Sequence, residues 1–308
     1  MTLYSFGQAY DRYYSNSAWN SSADAAIWSN TTFSPFAAGS SISALAYGSN
    51  TWVVAGSTGN IATSNNLVNW QTYPIISPDH VLINSMVYAN NKFFGVGMRK
   101  YTNSNGPFVP GSESAEIYVS TNSAPGSWKA VFNTYLDPSI FYSIKSANST
   151  LVVSGSIGSQ AVIYYSLDWG SSWVQRILPN RVQMVTDSTW YNGVWYLSTD
   201  IGIVSTASLT TPVWQFSDYY PRLNGINSNS QGQLVATSAQ SIFSSQDQFT
   251  WKTTSILGYS FRNSVYYNNL WLVGTYSLLT TYSLFSSTDS INWTGSNNGI
   301  NNQHWLVI

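Results

Sequence analysis

The sequence predicts an all-β fold, a β-propeller of four-stranded antiparallel blades, and three observations predict it. A bulky aromatic recurs at intervals of about forty residues, the period of propellers and other repeat arrays. The positions are Phe33, Trp70, Trp128, Trp173, Trp214, Trp251 and Trp293. A serine-led bend precedes each of them. Between the bends run short segments that alternate apolar and polar residues and are broken by Gly, Asn and Ser, with no long stretch of helical period. Seven aromatics predict seven blades in one domain spanning 1–308. Six blades with an extended N-terminal arm is the alternative.

Taken in order, residues 1–38 hold a divergent blade. The first full repeat covers 42–74: Ile42 to Tyr47, a turn at Gly48-Ser49-Asn50, Trp52 to Gly56, a turn at Thr58-Gly59, Ile61 to Ser64, then a bend into Trp70. The same order returns over 83–133, 140–177, 183–217, 222–255 and 261–295. The interval before Trp128 is longer than the rest because of an insertion at 99–116. Its Gly106-Pro107 and Pro110-Gly111 pairs predict a loop, and long loops on rigid scaffolds often carry function. At the C-terminus, His304-Trp305-Leu306-Val307-Ile308 matches the second strand of a repeat (compare Leu270-Trp271-Leu272-Val273). It is expected to pair with the N-terminal segment and close the ring, removing free sheet edges.

The bend is clearest at Tyr165-Ser166-Leu167-Asp168-Trp169-Gly170-Ser171-Ser172-Trp173. The Asp side chain accepts backbone N–H groups within the turn, Gly170 tolerates a positive φ, and Trp173 supplies an apolar anchor. Copies run from Ser64 through Asn66 to Trp70, from Ser120 through Asn122 to Trp128, from Ser245 through Asp247 to Trp251, and from Ser287 through Asp289 to Trp293. A decayed copy starts at Ser205 with Ala207 in the acid position and ends at Trp214, and another runs from Ser29 through Thr31 to Phe33. Ser-x-Asp-x-Gly-x-x-Trp resembles the Asp-box of sialidase-like (BNR-repeat) β-propellers, a type found in phage tail and other virion proteins and in propeller lectins. The resemblance implies the fold. It also implies a structural role for Asn66, Asn122, Asp168, Gly170, Asp247 and Asp289, and for Trp70, Trp128, Trp173, Trp214, Trp251 and Trp293.

Composition narrows the chemistry. Only 7% of the 308 residues are charged, 16% are aromatic, and the net charge is −1. No basic patch is present to displace counterions from phosphate, so a nucleic-acid partner is not expected. No apolar run reaches the roughly 18 residues of a membrane span. The chain has no cysteine and therefore no disulfide or thiolate metal site. Neither of its two histidines, His80 in an inter-repeat turn and His304 in the closing strand, has a partner at metal-ligand spacing. No cofactor and no metal are expected. The sialidase resemblance would imply a tyrosine–glutamate nucleophile pair and an arginine triad. Glu113 and Glu116 are the only glutamates, six arginines are scattered, and the N-terminal Arg-Ile-Pro signature is missing.

The expectation is therefore a non-enzymatic binding protein. Aromatic faces and amide or hydroxyl groups suit sugar recognition without net charge, and Trp190, Tyr219, Tyr220, Tyr101 and Phe108 are the candidate ligand contacts. With no export signal at Met1-Thr2-Leu3-Tyr4 and a hydroxyl-rich composition, the expected setting is a virion or extracellular surface. There the chain acts as a tail or decoration component that contacts other virion proteins or a host glycan, and a homo-oligomer is compatible with this. A soluble propeller lectin and a glycan-cleaving enzyme are the alternatives.

Overall fold

A computed structural model describes residues 3–7, 19–22, 29–31, 35–36, 42–56, 59–75, 80–102, 108–134, 138–217, 221–276, 284–296 and 305–307. The fold is a β-propeller of four-stranded antiparallel blades. Six blades are complete on consecutive strands, one fewer than the seven expected. They span 42–74, 80–133, 139–177, 185–216, 223–255 and 260–296 and are called first to sixth below. A further four-stranded sheet draws on both ends of the chain, in the order Trp305–Val307, Leu3–Gly7, Trp19–Ser22, Ser29–Thr31. Phe6 stands opposite Leu306 in that sheet, the terminal pairing that the sequence suggested. The anchor expected at Phe33 lies outside the described residues.

Contacts divide the chain into two compact units, Pro35–Val185, and Met1–Ser34 with Thr186–Ile308. In the first unit the cores lie between successive blades. Period-two alternation sends neighbouring side chains to opposite faces, so one strand serves two interfaces. Phe93 packs with Ala44, Val53 and Ile61 toward the first blade. Phe94 packs with Phe141, Leu151 and Val162 toward the third. The second unit repeats the device: Leu234 and Ala236 face Tyr196 and Ile203 of the fourth blade, while Val235 faces Phe261, Trp271 and Phe285 of the sixth.

The first hairpin of five of the six blades turns through two residues of positive φ, Asn192 and Gly193 among them, while the fifth blade has only Gly232. The other pairs are Ser49 and Asn50, Asn90 and Asn91, Asn148 and Ser149, and Asn268 and Asn269. This is the mirror-image turn whose twist matches that of the flanking strands, and it selects Asn or Gly. Tyrosine hydroxyls at 47, 88 and 266 cross these turns to the side chains of Asn50, Asn91 and Asn269 at 3.2–3.4 Å.

Blades are also tied through bulges in their first strands. Asn84 sits in the register shift between Ile83 and Ser85 and donates its amide to the Phe141 carbonyl at 2.8 Å. Asn224, in the equivalent bulge of the fifth blade, donates to the Phe261 carbonyl at 2.6 Å. Each of these bonds ends at the next bulge along, so the irregularity places a side chain where a regular ladder has none.

Two expectations are corrected. The segment at 99–116 is not a loop: Lys92–Thr102 and Phe108–Ser120 form a long hairpin in which Lys100 pairs with Glu113 and Thr102 with Phe108. Pro110 and Gly111, which read as loop formers, fall inside the register irregularity between Phe108 and Glu113, where proline removes no ladder bond. His80 is not in a turn. It begins the strand His80–Ala89 and pairs with Lys100 of that hairpin.

Candidate functional site

Each serine-led bend folds in the same way. At the third blade, the Ser166 hydroxyl accepts the Gly170 N–H at 2.7 Å and donates to Asp168 Oδ1 at 2.7 Å. Oδ1 also accepts the Ser172 N–H at 2.9 Å, and Oδ2 takes the Ser172 hydroxyl at 2.6 Å. Asp247 accepts the N–H groups of Phe249 and Thr250 at 2.9 and 2.7 Å. Asp289 does the same for Ile291 and Asn292 at 2.9 and 2.8 Å. In the first blade the amide oxygen of Asn66 takes over, with Val68 and Asn69 N–H groups at 3.0 and 2.9 Å. Asn122 in the second accepts the Ala124 N–H at 3.1 Å.

These bonds favour the charged form of the carboxylates. The Ser172 hydroxyl, followed by the Ser172 N–H and Ser166, lowers Asp168 to about 2. Thr250, through its hydroxyl and then its N–H, holds Asp247 well below the usual carboxylate range. Backbone N–H groups of Asn292 and Ile291 do so for Asp289. Asp168 and Asp247 are exposed and Asp289 is half-buried, and all three are engaged in their own turns, which is a structural use.

The decayed copy is displaced by one residue from its expected place. Trp195 pairs with Thr206, just as Leu151 pairs with Ser166 and Leu234 with Ser245. Thr206, not Ser205, therefore leads the bend. Its hydroxyl accepts the Ser208 N–H at 3.2 Å, and the Ser208 hydroxyl accepts the Thr211 N–H at 3.1 Å. Ser208 stands where the acid stands elsewhere, in place of Ala207.

The tryptophan anchors pack back onto the preceding blade. Trp128 is buried in the core between first and second blades, and Trp173 lies against that between second and third. Trp251 and Trp293 do the same for the fourth–fifth and fifth–sixth cores. Trp70 and Trp214 are half-buried.

Glu116 begins as the best catalytic candidate. It is fully buried, it accepts the hydroxyl of the equally buried Tyr118, and Arg99 Nη1 lies 3.7 Å from its carboxylate. The tyrosine–glutamate pair thus exposes no surface to a substrate. Among the described residues, no three His, Cys, Asp or Glu side chains gather as metal ligands.

An open cleft of about 460 Å³, within the range of small-molecule sites, lies between the bends of the first and second blades. Asn65, Asn69, Trp70 and Gln71 line it on one side, and Asn122 and Pro125 on the other. None of its lining residues is charged. The floor is pinned from below. Tyr73 donates its hydroxyl to the Ser123 carbonyl and accepts the Trp128 indole N–H at 3.4 Å, and burial pushes its pKa up. The Trp70 indole N–H is engaged by the Leu67 carbonyl at 3.2 Å, which fixes the ring within its own bend.

Of the expected ligand contacts, Trp190 is half-buried in the strand Val185–Tyr191. Its position matches Tyr47, Tyr88 and Tyr266, two residues before each hairpin turn. Tyr101 and Phe108 lie in the long hairpin, and Tyr219, Tyr220 and His304 fall outside the described residues. Trp190 belongs to one of the two compact units, and Tyr101 and Phe108 belong to the other. The cleft instead joins Trp70 and Asn122, read from the sequence as purely structural, to Asn65, Asn69 and Gln71, which were not singled out. The run Asn65-Asn66 with Asn69 beside a tryptophan was the available signal.

No protein-family model and no curated protein sequence matches the chain. Solved structures do. A protein from Lactobacillus plantarum is 11% identical, with 99% of this chain and 100% of that one covered at a TM-score of 0.65. YCF48 bound to D1 peptide is 15% identical over 86% of this chain and 85% of that one, with a TM-score of 0.58. A luciferin-regenerating enzyme is 11% identical over 86% and 89%, at 0.54. At such identities the likeness is one of fold, and the fold shared with these chains is the β-propeller.

Proposed function

We propose that this chain is a non-enzymatic attachment protein on an Asp-box propeller, displayed on a virion or other extracellular surface and recognising a host glycan. One observation carries the reading: the cleft beside Trp70 offers an aromatic side chain and several amides, with no charged lining residue. Sugars present an apolar C–H face and a ring of hydroxyls, which such a surface complements. The serine-led turns support the Asp-box assignment, because their acid or amide positions are consumed in holding hairpins.

Catalysis would require two accessible carboxylates at a set separation. The burial of Glu116 and the engagement of Asp168, Asp247 and Asp289 within their turns favour binding over cleavage. The test is a glycan array probed with the purified chain, together with an assay for released reducing sugar on every glycan bound. Retention without release is expected. Hydrolysis of a bound glycan would overturn the non-enzymatic assignment.

A further inference from the structure

The bends of adjacent blades approach each other in more than one place, yet they are not equally open. Between the fifth and sixth blades, Gln246 follows the leading Ser245 and reaches across, donating its side-chain N–H to the Asp289 carbonyl at 3.1 Å. Thr254 makes a second crossing to the Ile291 carbonyl at 3.4 Å. In the first blade the residue after the leading serine is Asn65, one methylene shorter. Asn65 is exposed and forms no side-chain hydrogen bond to another described residue, and the carbonyl of Asn122, the counterpart of Asp289, accepts the Ser123 hydroxyl at 2.7 Å through one of its two lone pairs. The strap that ties the fifth and sixth blades is absent here, and the cleft lies open where the strap would run.

Asn65, Asn69 and Gln71 are all exposed and line the cleft. Each neutral amide carries both donor and acceptor groups, so the set can read hydroxyls, which are donors and acceptors at once. Trp70 supplies the apolar wall, and its orientation is fixed by the bond to Leu67. A carboxylate- or phosphate-bearing ligand would leave its charge without a partner among these residues, at a desolvation cost.

We infer that the cleft between the first and second blades is a single neutral-saccharide site, open because Asn65 replaces the bridging glutamine of the fifth blade. The inference rests on the glycan-binding reading and narrows it to one place and one chemical class. Binding should be one saccharide per chain at this location, with the pyranose C–H face on Trp70.

The experiment is titration calorimetry of the full chain, and of three variants, with neutral and sialylated forms of the glycans retained on the array. Trp70→Ala should weaken binding of the neutral forms by about tenfold or more. Asn65→Gln, which restores the strap, should do so with unchanged thermal stability and so separates occlusion from misfolding. Gln246→Asn should bind like the parent. Neutral-glycan binding that survives both Trp70→Ala and Asn65→Gln overturns the site while leaving the glycan reading standing. Binding confined to sialylated forms overturns the neutral class alone. A parent chain that retains no glycan on the array overturns both.

Discussion

Asp168, Asp247 and Asp289 occupy the position that Asn66 and Asn122 fill in other blades, so the chain contains its own comparison of charged and neutral acceptors. Their lowered pKa values have a direct consequence. A carboxylate whose folded pKa lies below its unfolded value contributes stability that is present above about pH 4 and is lost as pH falls through the folded value. For Asp168 the loss runs down to about pH 2. Thermal unfolding followed from pH 7 to pH 2 should therefore show a decline confined to the acid end. The triple variant Asp168→Asn, Asp247→Asn and Asp289→Asn should flatten it. An equally steep decline in the triple variant would refute the assignment. The Asp168 bend was legible in sequence because acid, glycine and tryptophan all stood in place. The Thr206 bend was not, since two hydroxyls replaced serine and aspartate one residue later, and only the pairing of Trp195 with Thr206 reveals the shift. The amides of the cleft were hidden for a different reason: Asn and Gln on a surface look alike whether they face water or a ligand.

At the level of elements, strand identity followed from alternation and turn chemistry, and both held up in the positive-φ Asn pairs. What period two could not say is which face meets which neighbour. Phe93 and Phe94 settle this for the second blade, each fully buried and each committed to a different core. Truncating either to alanine should cost about 3–5 kcal/mol, measurable by denaturant unfolding, and hydrogen exchange should then quicken on the side that lost the ring. Phe93→Ala loosens the first–second core and Phe94→Ala the second–third. Identical exchange patterns from the two variants would contradict the alternation. The hairpin at 92–120 was misread because Pro110 and Gly111 dominate its composition, whereas its pairing is carried by flanking residues such as Lys100 and Glu113. Local propensity lost to the ladder on either side.

On the scale of the molecule, repeat period and terminal complementarity were readable before any coordinates. The match between Trp305-Leu306-Val307 and Leu270-Trp271-Leu272-Val273 foretold a strand that completes a sheet begun at Leu3–Gly7. Removing residues 305–308 should strip the pairing from Ser5, Phe6 and Gly7 and expose an unpaired edge. A lower melting temperature and faster amide exchange in that sheet are expected, with the 42–177 blades exchanging as before. Unaltered exchange at 5–7 would argue against the shared sheet.

The scarcity of charge leads to one more expectation about the conditions such a molecule tolerates. A scaffold knitted by hydroxyls, amides and rings offers dissolved ions little to screen, since screening acts on separated charges. Melting temperature and ligand retention should differ little between a dilute stream and brine, where a protein sewn together by surface ion pairs would drift.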